Sequence, residues 1–199
     1  MACLLMEGSQ PFMMHCHEDM ELIVVRHGRL KVKNEDELLV LEAGDVWLVP
    51  PFVSHSIEEG TEDSLRLAIL MDLKLMDSWE RQACERLDFG NILEHTDLYS
   101  GHWPPEVSCK VQRIIEDMYK EYTLRGKAWE LAVKTLLNAL FVYIIREMPA
   151  GREKRQSPGA ATMKTILSYI SMHYCSDISL KDCAVQVGFH PNYLSRYFR

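Results

Sequence analysis

The chain has 199 residues, of which 47% are hydrophobic and 26% charged, and its formal net charge is -7. This length suffices for one or two domains, and no apolar run approaches the roughly 20 residues that a membrane span needs. Residues 1–5 lack the basic start and long apolar core of a secretory signal. Six cysteines without a Cys-x-x-Cys spacing indicate reduced thiols. Composition therefore predicts a cytoplasmic protein without a membrane partner.

The first ninety residues have the pattern of β structure. Short apolar runs lie between Gly, Asn-Glu-Asp and Pro turns, spaced about eight to twelve residues apart, which is typical of a small barrel or sandwich. The predicted strands cover 22–25, 30–32, 38–41, 46–49 and 65–71. Because helical segments follow them along the chain, the predicted fold class is α+β.

Three histidines and one glutamate stand out within this β region. His15, His17 and Glu21 share parity, so in an unbroken strand they would face one side, and His55 would arrive from an adjacent strand. Cys16 alternates to the opposite face and is predicted to pack. Three imidazoles and one carboxylate suit a divalent transition metal with open positions. The alternative, which we favour, is that the four side chains line a ligand pocket without a metal or other cofactor.

The spacing of these residues resembles the two motifs of the cupin barrel over roughly residues 8–75. The motifs in this chain read His15-x-His17-x3-Glu21-x6-Gly28 and Gly44-Asp45-x4-Pro50-x4-His55. Gly8 lies one residue further upstream than the first motif prefers. Phe52 and Glu59 replace the glycine and asparagine of the second motif, so the enzyme-type consensus is only partly kept.

Two apolar stripes at helical spacing follow Pro104 and Pro105 and are separated by Arg125-Gly126. The first comprises Val107, Val111, Ile114, Ile115, Met118 and Tyr122; the second comprises Trp129, Ala132, Val133, Leu136, Leu137, Leu140, Phe141, Ile144 and Ile145. They predict an antiparallel helical hairpin that covers the barrel. The apolar surface of the hairpin either packs entirely against the barrel or packs partly against a second copy of the chain.

The charge of the chain is concentrated unevenly. Residues 151–199 contain seven Lys/Arg and three Asp/Glu, which gives a net charge of +4. The preceding residues contain 15 Lys/Arg (22 minus 7) and 26 Asp/Glu (29 minus 3), which gives a net charge of -11. A basic end on an acidic body predicts a confined DNA-contacting module. Residues 149–161, which are charged and punctuated by Pro and Gly, predict a linker before it.

Three short helices are predicted after the linker. Ile166, Leu167, Ile170 and Tyr174 recur at helical spacing and define an apolar face over 163–173. Ser179, with Asp182 three residues on, is a plausible N-cap for a second helix. Gly188 ends that helix, and Pro191 starts the third at a position where no amide donor is needed.

The third helix separates an inner from an outer face. Leu194 and Phe198 sit four residues apart and face inward. The polar residues on the opposite side are candidates for reading a DNA groove. These residues are Asn192, Ser195, Arg196 and Arg199.

The pattern formed by Ile178-Ser179-Leu180, Asp182, Ala184 and residues 191–198 closely resembles the first helix-turn-helix of the AraC family of bacterial transcription regulators. Cys183 and His190 depart from the commoner residues of that motif. The resemblance implies base contacts by Asn192, Ser195 and Arg196, a cupin-type sensor domain and pairing through the hairpin. Family members carry a second helix-turn-helix of roughly fifty residues, so a chain ending at Arg199 is expected to bind specific DNA weakly. The alternative is a three-helix module that reads no DNA.

These observations predict four segments: a cupin-like sensing barrel (1–100), a dimerising helical hairpin (101–148), a linker (149–161) and an incomplete AraC-type helix-turn-helix (162–199). The predicted function is a ligand-responsive, sequence-specific transcription regulator rather than an enzyme. Its predicted partners are promoter DNA, a small effector such as a sugar, and a second copy of the chain. The alternative is a metal-dependent cupin enzyme, a dioxygenase or isomerase using His15, His17, Glu21 and His55, which leaves the C-terminal segment unexplained.

Overall fold

The computed structural model describes residues 2–7, 10–34, 37–73, 89–151 and 158–197. The chain divides into two compact units, Met1–Glu153 and Lys154–Arg199. The described part of the first unit contains β-strands and helices, and that of the second is helical. The fold is α+β, as the sequence predicted.

The strands of the first unit form two antiparallel four-stranded sheets, ordered β1-β8-β3-β6 and β2-β7-β4-β5. Their bounds are β1 Ala2–Glu7, β2 Phe12–His15, β3 Met20–His27, β4 Arg29–Asn34, β5 Glu37–Glu42, β6 Val46–Val49, β7 His55–Gly60 and β8 Leu65–Met71. All five predicted strands lie within these. The sequence missed β1, β2 and β7; β2 has four residues and β7 carries two glutamates and a glycine, so both give weak strand signals.

Strands β3, β6 and β8 of the first sheet are buried on both faces, which explains the continuous apolar runs in them. Along β3, Met20, Leu22 and Val24 belong to the core shared with the helices. The alternate residues Ile23 and Val25 face the barrel interior, where they pack with residues of β4, β5, β6 and β7. The barrel therefore has an apolar lining and an apolar outer wall.

The helical part of the first unit covers that outer wall. It contains α1 Phe89–Glu94, a 3-10 turn Ser100–His102, α2 Pro105–Leu124 and α3 Trp129–Glu147. Buried residues of α2 and α3 share one core with the first sheet. A bidentate ion pair between Arg26 and Glu116 also ties β3 to α2. Ile145, predicted on the apolar stripe, is instead 44% exposed.

The second unit is formed by α4 Pro158–His173, α5 Leu180–Gln186 and α6 Pro191–Tyr197. Its small core contains Ile166, Cys183, Ala184 and Leu194. The expectation that Tyr174 lies on the apolar face is wrong: Tyr174 follows the end of α4 and is 74% exposed, while Tyr169 packs against the core. Phe198 and Arg199 lie outside the described residues.

The predicted linker differs from the structure at both of its ends. Ala150 forms a β-bridge with Thr96, and the Gly151 amide donates to the His95 carbonyl at 2.8 Å. Helix α4 already begins at Pro158. The backbone pairing of 149–151 involves no apolar side-chain periodicity, so the sequence pattern did not reveal it. Among the described helices, none has both the length and the apolar character that crossing a membrane requires.

Ser179 caps α5 as the sequence predicted. The Asp182 amide donates to Ser179 Oγ at 3.3 Å, and the Ser179 amide donates to Asp182 Oδ2 at 2.8 Å, which completes a capping box. The Ser179 hydroxyl also donates to Asp182 Oδ2 at 2.6 Å, and this hydrogen bond, together with the one from the Ser179 amide, lowers the pKa of Asp182.

We expect Ser179→Ala to destabilise the second unit by about 0.5–2 kcal/mol, because the amide of Asp182 loses its acceptor. Hydrogen exchange of 158–197, followed by mass spectrometry, measures this effect. Ser179→Asn is the matched control, since asparagine caps helices as well as serine does. Equal exchange in Ser179→Ala and the wild type would contradict the assignment.

Candidate functional site

The four candidate residues of the β region converge at one place in the barrel. His15 ends β2 and is the register partner of His55, which begins β7. Glu21 lies on β3 of the other sheet, and His17 lies in the connection between β2 and β3. One ligand atom from each residue lies within 4.8 Å of all the others. His55 is the most deeply buried, at 1% exposure.

The physical reason for this convergence differs from the predicted one. The parity argument assumed an unbroken strand from His15 to Glu21, but residues 16–19 are not in a strand. The four side chains meet because His15 and His55 pair across β2 and β7, while Glu21 approaches from the facing sheet. Cys16, predicted to pack on an opposite strand face, is a half-buried free thiol in the connection, where burial raises its pKa.

Backbone carbonyls orient all three imidazole rings. The Nδ1 atoms of His15, His17 and His55 each lie 2.9 Å from a carbonyl oxygen, those of Met13, Asp19 and Val53 respectively. A carbonyl oxygen only accepts hydrogen bonds, so each Nδ1 carries the proton. The Nε2 atom of each ring is therefore left as the potential ligand atom.

Glu21 is the anionic centre of the cluster. Its Oε2 atom lies 3.2 Å from Nε2 of His17 and 3.0 Å from Nε2 of His55. Burial alone would raise the pKa of Glu21, but the hydrogen bonds from His17 and His55 outweigh burial and lower this pKa to about 2. The hydrogen bond to Glu21 in turn raises the pKa of His17. The carboxylate is therefore charged at neutral pH and stabilises positive charge beside it.

The donor chemistry of the cluster fits a divalent transition metal. Each Nδ1 atom donates its proton to a carbonyl oxygen, so His17 and His55 can donate from Nε2 to Glu21 only when a second proton makes the ring cationic. A metal ion bound at the Nε2 atoms would replace those second protons. His15, His17, Glu21 and His55 would hold the ion. A bound ion would act as a Lewis acid that polarises an oxygen atom of a bound molecule.

Two further residues accompany the cluster and were not anticipated from the sequence. The Trp47 ring stands perpendicular to that of His55, with a 6.0 Å separation of centroids. Arg66, on β8, is a buried cation at 3% exposure, and the charge of Glu21 acts on it. The sequence feature that could have revealed Arg66 is that it is the single charged residue in the apolar run 65–71. A charged residue is unusual in a strand that is buried on both faces.

Asp45, from the second motif, shapes a turn. Its Oδ2 atom accepts from the Glu42 amide at 2.8 Å, and its Oδ1 atom accepts from the Ser100 hydroxyl at 3.0 Å. Ser100 Oγ also accepts from the Val46 amide at 2.7 Å. The Gly-Asp part of the motif therefore orders the entry to β6 and its contact with the 3-10 turn.

The structure places the second set of candidates on α6. Asn192 and Arg196 are exposed, Ser195 is half-buried, and Leu194 beneath them is fully buried. The fourth candidate, Arg199, lies outside the described residues. Three of the four DNA-binding candidates are thus on one short helix anchored by Leu194.

The barrel is similar to a known protein family. The model of the cupin domain family matches residues 3–71, which include all four residues of the cluster. Residues 3–71 are a cupin domain. A comparison with curated protein sequences gives no match.

A solved structure with a similar fold covers most of this chain. The AraC-like transcriptional activator CuxR is 12% identical, with a TM-score of 0.55, and the aligned region covers 92% of this chain and 61% of CuxR. The chain thus spans less than two thirds of that structure. Over part of its length, the chain also aligns with a putative mannose-6-phosphate isomerase from Ralstonia eutropha JMP134 (19% identity, 35% of this chain and 70% of that chain, TM-score 0.33). It likewise overlaps oxalate decarboxylase from Bacillus subtilis (23% identity, 35% and 20%, TM-score 0.31).

Proposed function

We propose that the chain is a ligand-responsive, sequence-specific DNA-binding transcription regulator of the AraC type. In this proposal, residues 1–100 sense a small molecule, 101–148 pair two copies, and 162–199 contact promoter DNA. The observation that carries it is α6, which presents Asn192 and Arg196 outward above the buried Leu194, at the basic end of an acidic chain.

The connection between α5 and α6 supports this proposal. Gly188 has a φ of +67°, a left-handed conformation that few other residues adopt readily, and the following helix starts at Pro191. The amides of Tyr193 and Leu194 donate to the His190 carbonyl at 2.9 and 3.0 Å. Such a tight turn between two short helices is the arrangement by which helix-turn-helix proteins present a recognition helix.

Arg196→Ala tests the proposed role of α6. Using the protein as its gene encodes it and the promoter DNA that it selects, we expect a loss of about 1–3 kcal/mol in binding and a relaxed preference at one base pair. Fluorescence anisotropy on the selected site and on single-base variants measures both effects. Lys181→Ala, at an exposed position of α5, is the control for general loss of positive charge. Uniform weakening on all sequences would show that Arg196 contacts phosphate instead.

The exposed side of α3 supports pairing of two copies. Leu131, Val142 and Ile145 are 66%, 43% and 44% exposed and recur at helical spacing. An apolar stripe of this kind is typical of a helix that packs against another protein surface. Sedimentation velocity of the wild type and of Val142→Glu tests this part: we expect a dimer and a monomer, respectively.

The second candidate function is a metal-dependent cupin enzyme, and the orientation of the three histidines by backbone carbonyls favours it. The two candidates differ in what they require. An enzyme requires metal-dependent turnover of a substrate, whereas a regulator requires a change in DNA binding when its ligand is added. Both measurements on one preparation separate them.

A further inference from the structure

Asn34 lies beside the cluster, one strand further along the second sheet. It is the register partner of His55 on β7, and His55 is in turn the register partner of His15 on β2. Residues directly opposite each other in an antiparallel pair share a face, with Cβ atoms about 4.5–5.5 Å apart. Val32, two residues before Asn34 on β4, belongs to the interior core of the barrel. The side chain of Asn34 therefore lies on the inner face of the sheet, next to that of His55.

Asn34 has a hydrogen-bond acceptor that the described part of the chain does not supply with a donor. Its Oδ1 atom is buried and has no hydrogen-bond partner. The neighbouring imidazole of His55 does not provide one, because its Nδ1 atom lies 2.9 Å from the Val53 carbonyl oxygen and its Nε2 atom lies 3.0 Å from Glu21 Oε2. An unsatisfied buried acceptor is costly, so Asn34 Oδ1 marks a place for a donor from outside the chain.

Water on a metal ion at the cluster would be such a donor. His15, His17, Glu21 and His55 offer one ligand atom each, and a six-coordinate transition metal with four protein ligands keeps positions open for water. A divalent ion lowers the pKa of its bound water, which makes that water a stronger hydrogen-bond donor than bulk water. An amide oxygen accepts this hydrogen bond without adding a second negative charge beside Glu21.

We propose that Asn34 is a positioning residue of this centre, whose Oδ1 atom accepts a hydrogen bond from water bound to the ion. Asn34 thereby favours a molecule with a hydrogen to donate over an anion that has none. The inference rests on metal binding by the cluster, and it is independent of DNA binding and of turnover. In this role Asn34 orients the water and is not itself a ligand of the ion.

Azide binding at constant pH tests this role. Azide has no hydrogen to donate, so on replacing the water it would face the oxygen of Asn34. The purified chain is loaded with Co²⁺ and titrated with azide, and visible absorption follows both binding events. Asn34→Leu, which is similar in size but has no acceptor, is expected to bind azide about three- to tenfold more tightly, the ratio given by one neutral hydrogen bond. Asn34→Asp, whose carboxylate only accepts, is expected to bind azide at least about tenfold more weakly.

Ser56→Ala is the matched control. Ser56 has the opposite parity to His55 on the same strand, and its hydroxyl donates to Glu58, so this variant should keep the wild-type azide affinity. A variant that merely loosened the site would lose azide affinity, whereas Asn34→Leu is expected to gain it.

Three results would overturn the assignment. One is an azide affinity in Asn34→Leu that is equal to or below that of the wild type, and another is a wild-type Co²⁺ protein that binds no azide. The third is loss of Co²⁺ binding by folded Asn34→Leu, because Asn34 would then be a ligand. If Asn34→Leu is unfolded by circular dichroism, Asn34→Asp decides, and wild-type azide affinity in that variant contradicts the proposal. Since no DNA is present, each failure is distinguishable from a failure of DNA binding.

Discussion

Gly28→Ala is expected to destabilise the first unit by about 2–5 kcal/mol. Gly28 forms the turn between β3 and β4 with a φ of +69°, which costs an alanine about 1–2 kcal/mol. A Cβ atom would also lie 2.4 Å from Thr61 Oγ1 and 2.8 Å from the backbone Cα of Ser64. Relieving the second contact requires the backbone to move, which adds about 1–3 kcal/mol. Urea unfolding followed by tryptophan fluorescence measures the change, because all four tryptophans precede residue 130.

Gly44→Ala separates backbone strain from steric conflict. Gly44 also has a positive φ, +97°, but nothing lies within 4 Å of a Cβ atom built there. Its substitution is expected to cost only the conformational part, about 1–2 kcal/mol. Equal losses in Gly28→Ala and Gly44→Ala would show that the close approach of the chain at Ser64 contributes nothing to stability.

The second large effect concerns metal binding by the cluster. Purified without a chelator, the chain is expected to carry a stoichiometric divalent transition metal, measured by elemental analysis. This departs from the preference for a metal-free pocket that the sequence alone supported. We expect the metal because the three Nδ1 atoms lie 2.9 Å from carbonyl oxygens, which leaves the Nε2 atoms as ligand atoms, and because those of His17 and His55 lie beside Glu21.

Removal of single ligands tests which residues hold the ion. Glu21→Gln and His55→Ala are each expected to weaken Co²⁺ binding at least about a hundredfold, since the loss of groups that merely orient ligands already costs 10- to 100-fold. His102→Ala is the control, because His102 pairs with Asp97 outside the cluster. A wild-type chain that binds Co²⁺ no better than His55→Ala would contradict the assignment.

Metal affinity should also depend on pH. Protons and metal ions compete for the histidine nitrogens. Because Glu21 raises the pKa of His17, its proton persists to a higher pH than in a free histidine. Co²⁺ binding is therefore expected to weaken as the pH falls through that raised pKa. In Glu21→Gln the midpoint of this weakening should shift to lower pH, as titration at several pH values would show.

Local patterns predicted much of the chain because they act over a few residues. Ser179 and Asp182 stand at the spacing of a capping box, and that box forms. Gly188 and Pro191 marked a turn that has the expected backbone conformation. The strands 22–25 and 46–49 were visible because burial on both faces leaves a continuous apolar run. By contrast, β7 was not visible, because it is held by its pairing with β2 and β4 rather than by its own residue preferences.

The amino-acid sequence by itself determined which chemical groups are present and their local conformations: three imidazoles, one carboxylate, a capped helix and a glycine turn. Only the tertiary structure decided how these groups combine. His15 and His55 are forty residues apart and meet because β2 and β7 pair in one register, which no local pattern specifies. In the sequence, Arg66 is likewise a single charged residue in an apolar run. Only the structure shows that β8 is buried on both faces and that Arg66 faces the barrel interior. Local propensity depends on neighbouring residues, whereas the site depends on strand register and on the stacking of two sheets.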